Sequence, residues 1–352
     1  MAEGTSTPTF IDTNRQSLKS RSHFANWTGR TRRFTPYTKT PKSRKSVQQA
    51  SRHGDKEQGI PLKRFVNKTW YVYQVTPLYQ FLQDAGSLKR YSRHLSSHLQ
   101  SEAQKGHGFE TGESLGARAL FQKVPGLDDI EGNSEGIEIT VTSLQNNVGN
   151  TGSPRVILTA VLSSFGTKDL TDFDVLSKDF KRFPVLLVKG LVTPLRRTIA
   201  WLESQFDCRI RRMSFNPVHL SWMVAMWTGI NNGPLSKPVE LKYSVPPTIK
   251  SLSYITMTIQ QEDAAKLWKC IHKGGIEDGV LSEEVADYRQ ALESHFFVHF
   301  KIQLSAMTLK RIGTPLACVG NEGRLKILMS SGVRTVLYHL TEVVLENAGH
   351  IA

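Results

Sequence analysis

Apolar positions along this chain switch repeatedly between two spacings, and the switches divide it into elements. Trp70-Tyr71-Val72-Tyr73-Gln74-Val75 is aromatic and β-branched and closes at Thr76-Pro77, which predicts a strand. Leu88, Tyr91, Leu95 and Leu99 then recur on one face of a helix. Ile137, Ile139 and Val141 alternate strictly, and Val156 to Leu162 is a continuous β-favouring run; both predict strands. Gly132-Asn133 and Gly149-Asn150 punctuate turns near them. A strand at Val185 to Val188 leads into a helix marked by Leu195, Ile199, Leu202 and Phe206.

The second half repeats the mixture. Pro217 opens a helix through Leu220, Met223, Val224 and Trp227, since proline is tolerated in a first turn. Val239/Leu241/Tyr243/Val245 and Ile255/Met257/Ile259 alternate as two strands around Pro246-Pro247. Glu262-Asp263 places carboxylates at the positive end of a helix that buries Leu267, Trp268 and Ile271. Another helix starts at Ser282 and runs through Val285, Tyr288, Leu292 and Phe296. Val298/Phe300/Ile302/Leu304 and Leu325/Ile327 predict further strands, and Val333, Val336, Leu337, Leu340 and Val344 a C-terminal helix. Strands come in adjacent groups rather than in βαβ alternation. The expected class is therefore α+β, with a largely antiparallel or mixed sheet flanked by helices.

Charge divides the chain more sharply than hydropathy does. Residues 1–68 carry 15 of the 45 Lys+Arg but only 4 of the 31 Asp+Glu. That stretch is rich in Ser, Thr, Pro and Gln, with apolar residues scattered singly, too few to offset the entropy of ordering it. The expected organisation is a disordered basic tail over 1–66, an N-terminal α+β lobe over 67–212 and a C-terminal lobe over 213–352. Arg30-Thr31-Arg32-Arg33 and Lys42-Ser43-Arg44-Lys45 suit nuclear import or phosphate contact. Thr7-Pro8, Thr35-Pro36 and Thr40-Pro41 are proline-directed phosphorylation candidates whose modification would weaken polyanion binding. Three cysteines, none in a C-x-x-C pair, fit a reducing compartment and argue against a structural zinc site. The longest aliphatic run, Val185 to Val188, is far short of a membrane span, and no signal peptide opens the chain. An intracellular, soluble protein is expected.

Catalytic tools are missing. No G-x-x-x-x-G-K-[ST] loop occurs, and Gly106-His107-Gly108 reads as a turn. His295 and His299 stand four apart, but the residue after the first is Phe296, and the strand expected from Val298 would part the rings. His94 and His98 fit a solvated helix face, and the acidic pairs Asp128-Asp129, Glu262-Asp263 and Glu283-Glu284 fit turns and caps. The three cysteines are expected as small core residues. Trp222 and Trp227 lie about 140° apart on one helix, which fits a helix buried nearly all round better than an interface anchor. No enzyme, cofactor, metal or small-molecule substrate is expected.

Cations embedded in the predicted elements stand out instead: Arg196-Arg197, Arg209 with Arg211-Arg212, Lys310-Arg311, Arg324 with Lys326, and Arg155 before a strand. Several on adjacent strands would form a groove that tracks phosphates without reading bases.

Longer strings go further than composition. Trp70-x-x-Tyr73-x-x-Thr76-Pro77-Leu78-Tyr79-x-Phe81, Leu88-Lys89-x-Tyr91-Ser92-Arg93 and Leu220-Ser221-Trp222-Met223-x-Ala225-Met226-Trp227-Thr228 resemble the centromere protein L family. So do Ser244-Val245-Pro246, Glu262-Asp263-Ala264 through Leu267-Trp268 to His272-Lys273, Ser294-His295-Phe296 with His299 to Ala306, Lys326-Ile327-Leu328 and Leu340-Thr341-Glu342. The resemblance spans roughly residues 67–345 and leaves the tail unmatched.

It implies a non-enzymatic subunit of the constitutive inner-kinetochore network, located in the nucleus at the centromere. It further implies a curved sheet with helices, a heterodimer with centromere protein N formed through the C-terminal part, and help in docking centromere protein C on centromeric chromatin. Arg155 and Arg311 match basic positions of the family and are the first DNA-facing candidates. Lys310, Arg324, Lys326, Arg196 and Arg197 join them on charge and strand placement. For the partner, an exposed strand edge is expected at Lys301, Ile302, Gln303 and Leu304 or at Leu325, Lys326, Ile327 and Leu328, because an unpaired edge can extend another sheet. The alternative reading is a stand-alone nuclear protein that binds nucleic acid through its tail.

Overall fold

The computed structural model describes residues 62–105, 116–125, 127, 135–144, 154–163, 179–230, 237–273 and 280–349. The tail expected over 1–61, Gly106-His107-Gly108, Asp128-Asp129, Gly132-Asn133 and Gly149-Asn150 lie outside them.

The described chain opens with a 3-10 turn, Leu62–Phe65, whose Phe65 is fully buried and whose carbonyl accepts the Trp70 indole N–H at 3.1 Å. Val66 bridges to Ile327. Residues 62–66 are thus part of the folded body, which corrects the expected tail boundary. The single Phe looked isolated in sequence because its partner, Trp70, comes from the first strand.

Strand β1 (Thr69–Val75) is followed by the short β2 (Leu78–Tyr79), helix α1 (Ala85–Lys105) and strands β3 (Gly116–Val124), β4 (Gly136–Leu144) and β5 (Arg155–Ser163). Next come β6 (Phe180–Lys181), β7 (Val185–Gly190), helix α2 (Val192–Phe206), β8 (Ile210–Arg212) and helix α3 (Pro217–Thr228). The remainder is β9 (Val239–Ser244), β10 (Tyr254–Ile259), α4 (Gln261–Ile271), α5 (Ser282–Phe300), β11 (Thr308–Gly313), β12 (Ala317–Gly320), β13 (Arg324–Ile327) and α6 (Val333–Gly349).

Local chemistry sets the helix starts. The Asp84 carboxylate accepts the Ser87 N–H at 2.8 Å, which holds its pKa below the usual carboxylate range. Asn216 Oδ1 accepts the His219 N–H at 2.7 Å with Pro217 in the first turn. The Glu284 carboxylate accepts the Leu281 N–H at 3.0 Å ahead of α5.

One sheet dominates, in the order β10-β9-β11-β12-β13-β1-β7-β5-β4-β3, and every pair of named strands in it is antiparallel. β8 continues the column of β13, pairing with β1 at Tyr73–Val75 where β13 pairs at Thr69–Tyr71. The α+β class with an antiparallel sheet is what the spacing predicted.

Alternation through the central strands feeds two cores on opposite faces. Trp70, Val72, Val185 and Leu187 face one, with α3 to α6; Val75, Leu186 and Val188 face the other, with α1 and α2. Each fully buried Leu or Ile of this kind contributes roughly 1.5–3 kcal/mol. Helix α3 is buried nearly all round, with Trp227 fully covered and Trp222 packed at the margin. Helices α1 and α2 pack against β3, β5 and β7. Among the described residues, no helix covers that same face on the β10-β9-β11-β12-β13 half.

Candidate nucleic-acid interface

The uncovered half-face collects the polar positions of five strands. On β9, Val239, Leu241 and Tyr243 point into the core, so Lys242 points out. On β13, Leu325 and Ile327 are fully buried, so Arg324 and Lys326 point out. β11 would put only one of two consecutive residues on this side. A bulge between Leu309 and Arg311 breaks the alternation, so both Lys310 and Arg311 line the surface. Register completes the assembly: Arg311 sits opposite Lys242 on β9 and Gly320 on β12, and Cys318 opposite Lys326.

The result is a shallow cleft of about 310 Å³ lined by Lys242, Lys310, Arg311, Arg324, Lys326 and Tyr254. Lys242 Nζ rests 4.1 Å from the centre of the Tyr254 ring. At the β1 side, Arg212 and Arg324 lie over Tyr71 at 4.5 and 5.6 Å. Arg212 Nε donates to the Glu322 carbonyl at 3.0 Å, and the Glu322 carboxylate lies 3.8 Å from Arg324. Among the described residues, no carboxylate lies within ion-pair distance of Lys242, Lys310, Arg311 or Lys326. Arg311 and Lys242, opposite each other on neighbouring strands about 5 Å apart, repel by about 0.8 kcal/mol in water, and like charges two strands apart by about 0.4 kcal/mol. The fold tolerates the cluster easily, while the summed field favours a polyanion.

The structure therefore brings together Lys310, Arg311, Arg324 and Lys326, four of the seven expected DNA-facing residues. Arg155 opens β5, three strands beyond β13, and Arg196 and Arg197 lie in the first turns of α2. The Leu191 N–H donates to the Ile157 carbonyl, so α2 leaves the sheet beside the start of β5. These three belong to that neighbourhood and not to the cleft. Lys242, Tyr254 and Arg212 were not singled out as site residues. An outward Lys between two core residues of a strand was the available signal for Lys242.

The expected partner strands need correction. Helix α5 runs on to Phe300, and Lys301 ends it in the left-handed conformation (φ 56°), donating its N–H to the Phe297 carbonyl. Val298, Phe300, Ile302 and Leu304 alternate in sequence, but Phe296 and Phe300 stack four apart on the helix at 4.6 Å. Leu304 is buried in a 3-10 turn, so Lys301 to Leu304 form no strand. Because the helix continues, the His295 and His299 rings stay 4.7 Å apart. No group of three metal-ligating side chains occurs among the described residues. Leu325, Lys326 and Ile327 lie on β13, which is paired by β12 on one side and β1 on the other, and Leu328 follows it. That strand is interior and offers no edge.

The sheet ends instead at β10 and β3. The core reading of the cysteines holds for Cys208, whose thiol burial pushes up to about 11, whereas Cys270 is exposed and Cys318 lines the cleft. No helix among the described residues is long and apolar enough to cross a membrane.

The sequence profile of a family described as Centromere protein L matches residues 64–346. Centromere protein L of Xenopus tropicalis is 32% identical over 347 residues, 98% of this chain and 97% of that protein. The Homo sapiens protein of the same name is 32% identical over 315 residues, 89% of each chain, and that of Gallus gallus 32% over 281 residues, 80% and 79%.

Proposed function

Since the chain belongs to the centromere protein L family, we propose that it is a non-enzymatic structural subunit of the inner kinetochore in the nucleus. In this reading it pairs with centromere protein N, helps dock centromere protein C and further subunits, and presents a basic surface to centromeric DNA. The observation that carries the DNA-facing role is the cleft of Lys242, Lys310, Arg311, Arg324 and Lys326 on the half of the sheet that no described helix covers. Five Lys and Arg side chains line it, a concentration of positive charge that suits phosphate contact. Arg155, Arg196 and Arg197 extend the same role along the neighbouring lobe, with 67–212 and 213–352 acting as two lobes on one sheet.

For the partner, strand β10 takes the place of the interior strands. It has β9 on one side, and exposed Ile249, Leu252 and Tyr254 lead into it. Of two successive strand residues, one turns its N–H to the neighbouring strand and the other turns it outward. Proline at Ile255 or at Thr256 therefore removes an outward donor in one of the two variants. Co-expression with centromere protein N, then size exclusion with light scattering, tests the pairing. A stable 1:1 complex is expected, lost in the proline variant that keeps the wild-type melting temperature. Pairing that survives both prolines contradicts the edge, and no complex at all contradicts the partner.

The strongly basic stretch 1–68 supports the second reading, a stand-alone nucleic-acid binder. Deleting residues 1–61 separates the two: the cleft retains most duplex affinity, whereas a tail-driven binder loses it.

A further inference from the structure

Helix α1 is fastened to the last strand of the sheet by three side chains spaced four apart. Ser92 Oγ accepts the Phe121 N–H at 2.9 Å, Ser96 Oγ accepts the Ala119 N–H at 2.8 Å, and Gln100 Nε2 donates to the Ala117 carbonyl at 3.4 Å. Four helical residues advance about 6 Å and two strand residues about 6.8 Å, so the match holds for two successive steps. The outer edge of β3 is thereby closed to another strand.

A groove of about 990 Å³ remains between α1 and β3. Lys89 and Arg93, one helical turn apart, stand on one wall, and Arg118 with Leu120, which is 42% exposed, on the other. Lys123, farther along, pairs with Glu135. Among the described residues, the groove's one carboxylate, Asp84, is engaged in capping α1. Among the described residues, no acid lies within ion-pair distance of Lys89, Arg93 or Arg118.

We propose that this groove docks an extended acidic peptide from another protein, carboxylates on the three cations and an apolar side chain over Leu120. Residues 1–61 hold 12 Lys+Arg against 4 Asp+Glu, so their charge does not complement the groove. Strand addition is blocked by the two serines. A convex duplex does not enter a groove between one helix and one strand, and it has no apolar group on its phosphate backbone to cover Leu120. The site is separate from the cleft and does not rest on the reading given for it.

The test uses the full chain and a fluorescein-labelled peptide of four Glu-Glu-Leu repeats, read by anisotropy. Lys89→Glu/Arg93→Glu/Arg118→Glu weakens peptide binding by about tenfold or more, since three exposed ion pairs are replaced by like-charge repulsions. Leu120→Ser weakens it by about threefold, while Lys310→Glu/Arg311→Glu leaves it within about twofold. Equal losses in the groove and cleft variants, or no loss in the groove variant, overturn the proposal. So does a groove variant that loses more affinity for a duplex than for the peptide.

Discussion

Trp227 is fully buried, and its indole N–H must find an acceptor there. It donates to His339 Nδ1 at 2.7 Å, which leaves the ring proton on Nε2. Burial holds the His339 pKa down to about 4, against an ordinary value of 6.5. The folded state thus binds fewer protons than the unfolded state between those values, and stability present in full above pH 6.5 is lost as pH falls toward 4. At pH 5 the loss is about 2 kcal/mol relative to pH 7. His219, whose pKa burial also lowers, acts in the same direction. Guanidinium unfolding at the two pH values measures this, and His339→Gln removes most of the difference; an unchanged difference contradicts the assignment. Gly323 carries a sharp backbone requirement. It adopts φ +74°, its carbonyl oxygen accepts the Val72 N–H, and a Cβ would lie 2.3 Å from the Met213 carbonyl oxygen. Gly323→Ala costs about 2–3 kcal/mol and lowers the thermal midpoint. Sequence alone showed Trp227 as a core residue but gave no sign of His339, because the pair is separated by 112 positions.

Among elements, strands with clean alternation or a nearly continuous apolar run were legible and those with neither were not. β4, β9 and β10 alternate, whereas β5 and β7 are nearly continuous apolar runs. β11 was missed because its bulge places Lys310 and Arg311 side by side, and β3 because its solvent face includes Leu120. The overrun of α5 was hidden for the opposite reason: exposed Val298 and Phe300 imitate a strand face. Which strand ends the sheet depends on pairing across long separations, which local spacing does not encode. Closure of β3 by Ser92 and Ser96 makes a test at this scale. Ser92→Ala/Ser96→Ala leaves the Phe121 and Ala119 N–H groups without acceptors, a cost of about 2–4 kcal/mol. The double variant melts at lower temperature and gains mass in light scattering as its concentration rises. An unaltered melt means that water replaces the hydroxyls at no cost.

At the scale of the molecule, one sheet carries two cores, and among the described residues helices cover both faces except for one face of the β10 to β13 half. The excess charge was legible as a list of cations; their convergence was not, since Lys242, Lys310, Arg311 and Lys326 come from β9, β11 and β13. The most direct test of the central claim is duplex DNA affinity measured against salt concentration, for the wild-type chain and for Lys310→Ala/Arg311→Ala/Lys326→Ala. Each phosphate contact contributes about 0.9 to the slope of log affinity against log salt, so the variant's slope is flatter by about three. An unchanged slope, in a variant that unfolds at the wild-type midpoint, would contradict a DNA-facing cleft.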